Sequence, residues 1–217
     1  MGKRTATAAA TAALEEQVDT LVRLGYPAAA GLSERAFRKR LAGLAAQAGE
    51  LALKPVDYAR GRLPFVVVVK NELVPTAAAM ALTVRAGKSG YVAMQPVGPD
   101  DFTPLADLPI PDGPAYLLVD IDRGADTLNV RPEDALRRIR KRRRSPLTIE
   151  EGVALVAQHP DFLQKNNCFS LPGSRRADQR VPAIWIDGAR RPKLGWCWDR
   201  NPHTWLGSAS CKHRLGA

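Results

Sequence analysis

The chain has 217 residues, of which 45% are hydrophobic and 25% are charged. This composition excludes an intrinsically disordered chain, and the length is sufficient to bury a full hydrophobic core. The formal net charge of +10 favours polyanionic partners such as nucleic acid, although the abundance of Arg and Ala is also what GC-rich coding produces.

The cysteines and the apolar runs indicate the compartment. Cys168, Cys197 and Cys211 are odd in number and contain no closely spaced pair, which predicts free thiols in a reducing compartment. The longest apolar run, Phe65–Val69, is too short to span a bilayer. The N-terminal residues lack the leucine-rich segment of a secretory signal. We therefore expect a cytoplasmic protein without membrane insertion.

Helices are predicted in the first quarter of the chain. Apolar residues between Leu14 and Leu24 recur at spacings of three and four, whereas the residues before Leu14 are expected to fray. Gly25 is expected to end this helix, and Ser33 is a suitable N-cap for the next one. Residues 1–60 are therefore predicted to form an N-terminal helical segment.

Strands are predicted after residue 60. The β-branched run Phe65–Val69 is typical of a buried strand, and Tyr91–Met94 and Ala115–Ile121 are expected to form two more. Residues 76–84 fit either a short helix or a strand, and the proline-rich residues 95–114 fit a surface loop. Asp120 and Asp122 are candidates to hold a metal or a substrate cation, or to cap a turn.

Two further helices are predicted in the middle of the chain. Pro132 suits the first turn of a helix that runs into a strongly basic segment. Thr148 and Glu151 have the spacing of a capping box for the next helix. The basic segment exceeds what a helix C-terminus needs, so it predicts sequence-independent contact with a polyanion through Arg137, Arg138, Arg140, Lys141, Arg142, Arg143 and Arg144.

The last third combines short strands with most of the chemically capable side chains. Strands are predicted at 166–171, 182–186 and 193–198, the last two as a hairpin. The fold class is therefore α+β. N-terminal helices precede a main domain at 61–217, in which a mixed or antiparallel sheet with packed helices ends in a Trp-rich β-region.

Several sequence blocks resemble an actinobacterial family, domain-of-unknown-function family 5701. The resemblance extends from about residue 73 to 211, and the family name implies no activity and no catalytic residue. The blocks that carry it are Gly87–Tyr91, Phe102–Pro104, Asp120–Gly124, Pro132–Leu136, Pro146–Gly152, Asn167–Phe169, Gly173–Arg175, Pro182–Ile186, Pro192–Trp198 and His203–Gly207.

Cysteine and histidine chemistry is one reading of this region. Cys168, Cys197, His203 and Cys211 have the ligand types of a zinc site but lack a Cys-x-x-Cys pair. Cys168 or Cys197 as nucleophile with His203 as base would make a cysteine-dependent enzyme. The alternative is that the thiols are small buried hydrophobic groups.

Ligand binding is the other reading, and it is the one we favour. Trp196 and Trp198 are expected on one face of a strand, where indoles stack on a flat ligand or form a small core. His203 follows Pro202 in a turn, where it either contacts a ligand or only stabilises the turn. We expect an anionic or aromatic ligand, with nucleic acid as one candidate, contacted by Arg175, Trp196, Trp198, His203 and Trp205. An accessory protein with only structural contacts remains the further alternative.

Overall fold

The computed structural model describes the backbone of residues 2–217 and the side chains of residues 7–217, and it has the expected α+β fold. The helices are α1 (Gly2–Leu24), α2 (Tyr26–Ala29), α3 (Glu34–Leu41), α4 (Leu44–Gly49), α5 (Thr76–Leu82), α6 (Pro132–Lys141) and α7 (Ile149–Gln158). The strands are β1 (Arg62–Val69), β2 (Val84–Arg85), β3 (Lys88–Ser89), β4 (Tyr91–Val92), β5 (Thr103–Pro104), β6 (Ala115–Asp122), β7 (Ser145–Pro146), β8 (Cys168–Ser170), β9 (Ser174–Arg175), β10 (Arg180–Ile186), β11 (Pro192–Trp198), β12 (Leu206–Ser208), β13 (Ser210–Cys211) and β14 (His213–Gly216).

Helix α1 is longer than its apolar pattern predicts. Residues 7–13 are helical, so the expectation that this segment frays is wrong. Ala10 is fully buried, and a Cβ at Gly49 of α4 would lie 3.2 Å from the Cγ2 of Thr7. Small side chains on both helices therefore allow the helices to approach closely. The sequence of this part of α1 has no strong helical pattern of large apolar residues, so the contact was not predicted.

The predicted helix boundaries are confirmed by their capping geometry. Gly25 follows α1 with a φ of 93°, in the left-handed region that glycine adopts without strain. The Oγ of Ser33 accepts a hydrogen bond from the Ala36 amide at 3.2 Å. Thr148 and Glu151 form the expected capping box at the start of α7. Local polar chemistry therefore determines where these helices begin and end.

The first sheet has β1 and β6 at its centre. These strands pair antiparallel, and β6 pairs on its other side with β13 and β14, of which β13 also pairs with β7. Helix α7 packs on β1, α5 and α1, and residues 149 and 151–157 are all buried. The central position of α7 joins the N-terminal helices to the sheet in one hydrophobic cluster.

The second sheet carries the tryptophans. Its order is β12-β8-β10-β11-β4, with β10 and β11 forming the predicted antiparallel hairpin and β12 running parallel to β8. Helix α7 also contacts β10, so it lies between the two sheets. Among the described helices, none has the length and apolar character needed to cross a membrane.

Asp120 and Asp122 are structural at the end of β6. Asp122 accepts a hydrogen bond from the Gly124 amide at 2.8 Å and pairs with Arg62 at 2.8 Å. Asp120 pairs with Lys54 at 2.8 Å and with Arg144 at 3.0 Å. The turn-capping interpretation is confirmed for Asp122, because its carboxylate accepts from the Gly124 amide two residues further along the chain.

Candidate aromatic ligand-binding site

The β10–β11 hairpin positions the tryptophans by its register. Arg180 lies opposite Trp198, and Trp185 lies opposite Lys193. Directly opposed residues share one face of a sheet and side chains alternate along each strand. Trp198 therefore shares a face with Arg180 and Trp196, as the sequence predicts for the two indoles, whereas Trp185 belongs to the opposite face.

Trp196 and Trp198 form an aromatic pair around a cation. Their ring centroids lie 5.0 Å apart in an edge-to-face arrangement. The Cζ of Arg180 lies 4.5 Å from the Trp196 centroid and 5.1 Å from the Trp198 centroid. Trp196 donates from Nε1 to the Met94 carbonyl at 2.9 Å, whereas Trp198 is 44% exposed. Trp196 is thus held by the fold, and Trp198 presents free indole surface.

Trp185, Trp205 and His203 form a second aromatic group. The Trp185 and Trp205 centroids are 6.1 Å apart, and the His203 and Trp205 centroids are 5.1 Å apart. The Nζ of Lys193 lies 5.0 Å from the Trp185 centroid. A Cβ at Gly195 would approach Trp185 Cη2 to 2.3 Å, so glycine is required for the indole to lie against β11.

The two groups border one cavity beside the C-terminal end of β11, which we call the Trp cavity. Its volume is about 280 Å³, and it is lined by Trp185, Trp196, Cys197, Trp198, Asn201, His203, Trp205 and Leu206. A neighbouring cavity of about 200 Å³ shares Trp185 and Trp205 and adds Lys165, Asn166, Cys168 and Ile186. Trp185 and Trp205 therefore border both cavities, and aromatic linings of this kind suit flat ligands.

The loop after β11, which borders the Trp cavity, is attached to the start of α6. The Asn129 amide donates to the His203 carbonyl at 2.8 Å, and the Glu133 amide donates to the Asp199 carbonyl at 3.2 Å. Arg200 also lies 3.6 Å from the Glu133 carboxylate. Partial burial lowers the pKa of His203, which therefore acts as a neutral donor or acceptor at pH 7.

Arg175 differs from the other predicted ligand contacts. It pairs with Asp199 at 3.1 Å, its side chain is only 17% exposed, and it does not line the Trp cavity. Arg175 therefore holds the loop after β11, while Trp196, Trp198, His203 and Trp205 come together as predicted. The ligand set that we derived from the sequence omitted Trp185, Arg180 and Asn201.

The cysteines are free and buried, and the structure does not bring them together. Cys168 pairs with Leu206 in the sheet, Cys197 lies opposite Val181, and Cys211 pairs with Ser145 in the other sheet. Within residues 7–217, no three His, Cys, Asp or Glu side chains cluster in a way that would hold a metal ion. The zinc site suggested by Cys168, Cys197, His203 and Cys211 is therefore not formed, because these residues belong to separate strands and loops and their side chains do not cluster in the described part of the chain.

Burial also sets the chemistry of the thiols. It raises the pKa of Cys168, and it raises the pKa of Cys197 and Cys211 to about 12. Such groups are protonated at neutral pH, whereas a nucleophilic cysteine needs a thiolate. Burial of the thiols therefore opposes the cysteine-enzyme alternative, although Cys197 and His203 line the same cavity.

The basic segment is partly neutralised by the fold. Arg137 pairs with Asp134, Arg140 with Asp107, and Arg142 with Asp126. Arg144 turns inward with 13% side-chain exposure and donates to Asp120 and Ser210, so it is removed from the predicted polyanion contacts. The remaining members of the set, including Arg138, Lys141 and Arg143, are exposed.

The chain belongs to a family described as a family of unknown function (DUF5701), whose sequence model matches residues 20–217. No curated protein and no solved structure matches the chain. The family match includes every residue that lines the Trp cavity.

Proposed function

We propose that the protein binds a planar, anionic ligand in the Trp cavity. One observation carries this proposal: four indoles border a single cavity, and one of them, Trp198, is 44% exposed. Burying an exposed indole against a flat ligand is favourable, and stacking of a nucleobase on an aromatic side chain contributes about 1–3 kcal/mol.

Cations near the indoles favour a negative charge on the ligand. Arg180, which pairs with Asp178, and Lys193 lie over indole faces, and the Arg200 side chain in the loop after β11 is 67% exposed beside Glu133. The chain as a whole carries a net charge of +10, which attracts anions over longer distances. A ligand with an aromatic ring and a phosphate or carboxylate satisfies both features.

Two alternatives make different predictions for the same cavity. A cysteine-dependent enzyme would use Cys197 beside His203, but the pKa of Cys197 is about 12, which opposes thiolate formation. An accessory protein with only structural contacts would leave the Trp cavity without any ligand. We place the binding function in the cytoplasm, because the three free, buried thiols suit a reducing compartment.

The experiment is a calorimetric titration with thymidine monophosphate as the probe. Trp198→Ala is expected to weaken binding about 5- to 150-fold, because it removes one stacking surface. Val84→Ala is the matched control, since Val84 is also 44% exposed and lies outside the Trp cavity. No binding of the probe at millimolar concentration, or equal affinity of Trp198→Ala and Val84→Ala, would overturn the proposal.

A further inference from the structure

We infer that the ligand of the Trp cavity is a segment of single-stranded nucleic acid, whose phosphates continue along α6. This inference rests on the proposed function, and it adds the class of ligand. Helix α6 is attached to the loop after β11, which borders the cavity. Glu133 in the first turn of α6 is bound to that loop through Asp199 and Arg200.

The helical period extends this contact into a row of cations. Glu133, Arg137 and Lys141 are spaced by four residues, so they lie above one another on one face of α6. We call Arg137 and Lys141 the cation row. Glu133 and Lys141 are separated by about 12 Å along the helix axis, since each residue adds about 1.5 Å. The row therefore begins beside the rim of the Trp cavity and leads away from it.

The cation row is accessible to a polyanion. Arg137 is 68% exposed and Lys141 is exposed, and they lie opposite the buried face formed by Ala135 and Ile139. Arg137 pairs with Asp134, whose side chain is itself 37% exposed. Exposed ion pairs contribute little to stability, so a phosphate can replace this carboxylate at small cost.

The combination of stacking and charge selects a single strand. Stacking on Trp198 requires an unpaired base, because the faces of bases in a duplex are already covered. Successive phosphates lie about 3.4 Å apart along a stacked strand, so the two cations of the row, about 6 Å apart along the helix axis, face roughly two of them. A free mononucleotide would use the cavity and leave the cation row without a function.

Length dependence tests the inference. Thymidine monophosphate and single-stranded (dT)8 are titrated at 50 and 200 mM NaCl. We expect (dT)8 to bind at least tenfold more tightly at 50 mM. The plot of log affinity against log salt should be steeper for (dT)8 by about 0.7 for each of roughly two neutralised phosphates, or about 1.4 in total.

Variants separate the cation row from the cavity. The double substitution Arg137→Gln and Lys141→Gln should remove most of the gain of (dT)8 and leave the affinity for thymidine monophosphate unchanged. The double substitution Lys39→Gln and Arg40→Gln on α3 removes the same charge from exposed positions and should change neither affinity more than twofold.

Three outcomes would overturn the inference. In the first, thymidine monophosphate binds but (dT)8 binds no more tightly. In the second, the cation-row and α3 variants lose the same affinity, which means that only net charge matters. In the third, a duplex of the same length binds as tightly as (dT)8. Each of these leaves the proposed function intact, whereas loss of mononucleotide binding to the unmodified protein refutes the proposed function itself.

Discussion

Arg214 and Glu151 form an ion pair in which neither side chain is exposed to solvent. The Arg214 Nε lies 2.5 Å from Glu151 Oε1, and Nη2 lies 2.9 Å from Oε2. The Tyr116 hydroxyl donates to the same carboxylate at 2.8 Å. This network joins α7 to β6 and β14, so the helix between the two sheets is held by charge as well as by apolar packing.

Removal of the Glu151 charge is expected to destabilise the protein strongly. Glu151→Gln should lower the free energy of unfolding by about 3–5 kcal/mol, because Arg214 stays buried without a counter-ion. Urea denaturation measures this change. Asp19→Asn, which breaks the exposed pair with Arg38, is the control and should cost less than about 1 kcal/mol. Similar losses in the two variants would contradict the importance of burial.

Gly124 is required by a close backbone contact. A Cβ at this position would lie 2.1 Å from the Ser208 carbonyl oxygen, and its φ is 87°. Gly124→Ala should cost about 2–5 kcal/mol, since steric overlap adds to the strain of the left-handed conformation. Gly113→Ala has a similar φ of 84° but open space around it, and should cost only about 1–2 kcal/mol. Thermal unfolding of both variants tests the difference.

Substitutions of the neighbouring residues Arg143 and Arg144 are expected to change the free energy of unfolding by different amounts. Arg144→Gln should lower the free energy of unfolding by about 2–3 kcal/mol, because Asp120 and Ser210 lose their partner. Arg143→Gln should change it by less than about 0.5 kcal/mol, because Arg143 is exposed. Urea denaturation compares the two. Equal stability of both variants would show that the contacts of Arg144 with Asp120 and Ser210 do not stabilise the fold.

Protonation of the buried His159 is expected to destabilise the protein in mild acid. Burial lowers its pKa to about 4 from an ordinary value of 6.5, so the unfolded chain binds this proton more readily. The contribution of the neutral His159 to the free energy of unfolding is complete above pH 6.5. It is lost as the pH falls from 6.5 through about 4, by up to about 3 kcal/mol. His159→Gln should flatten the stability profile in this range. Substitution of the exposed His213 by Gln is the control and should leave the profile steep.

Ionisation of the buried Cys197 thiol is expected to destabilise the protein in alkali. Burial raises its pKa to about 12 from 9.0, so the unfolded chain releases this proton first as the pH rises. Its contribution is therefore complete below pH 9 and is lost between pH 9 and about 12. Cys197→Ala should make the unfolding free energy less dependent on pH in this window. An identical slope in the variant and the unmodified protein would mean that the thiol ionises normally in the folded state.

The sequence predicted most elements whose determinants are local. The valine run of β1, the left-handed end at Gly25 and the capping box of Thr148 and Glu151 all depend on residues a few positions apart. The start of α1 was not predicted, because its stabilisation comes from packing against the distant helix α4.

For the candidate site, the clustering of tryptophans in the last third of the chain was sufficient to predict its location in the sequence. Alternation along a strand was sufficient to place Trp196 and Trp198 on one face. The sequence could not show that Trp205 reaches Trp185, since that contact depends on β12 pairing with β8. Nor could it show that Arg144 turns inward while Lys141 faces solvent, because Arg144 meets partners 24 and 66 positions away.

The sequence by itself determined the fold class, the helix ends and the type of side chain available for binding. These follow from hydrogen-bonding and periodic patterns within one element. Only the tertiary structure decided which tryptophans share a cavity, which cations remain free and which thiols are inert. Those properties depend on burial and on partners far apart in the chain, where desolvation and pairing change the chemistry of a side chain without any local signal.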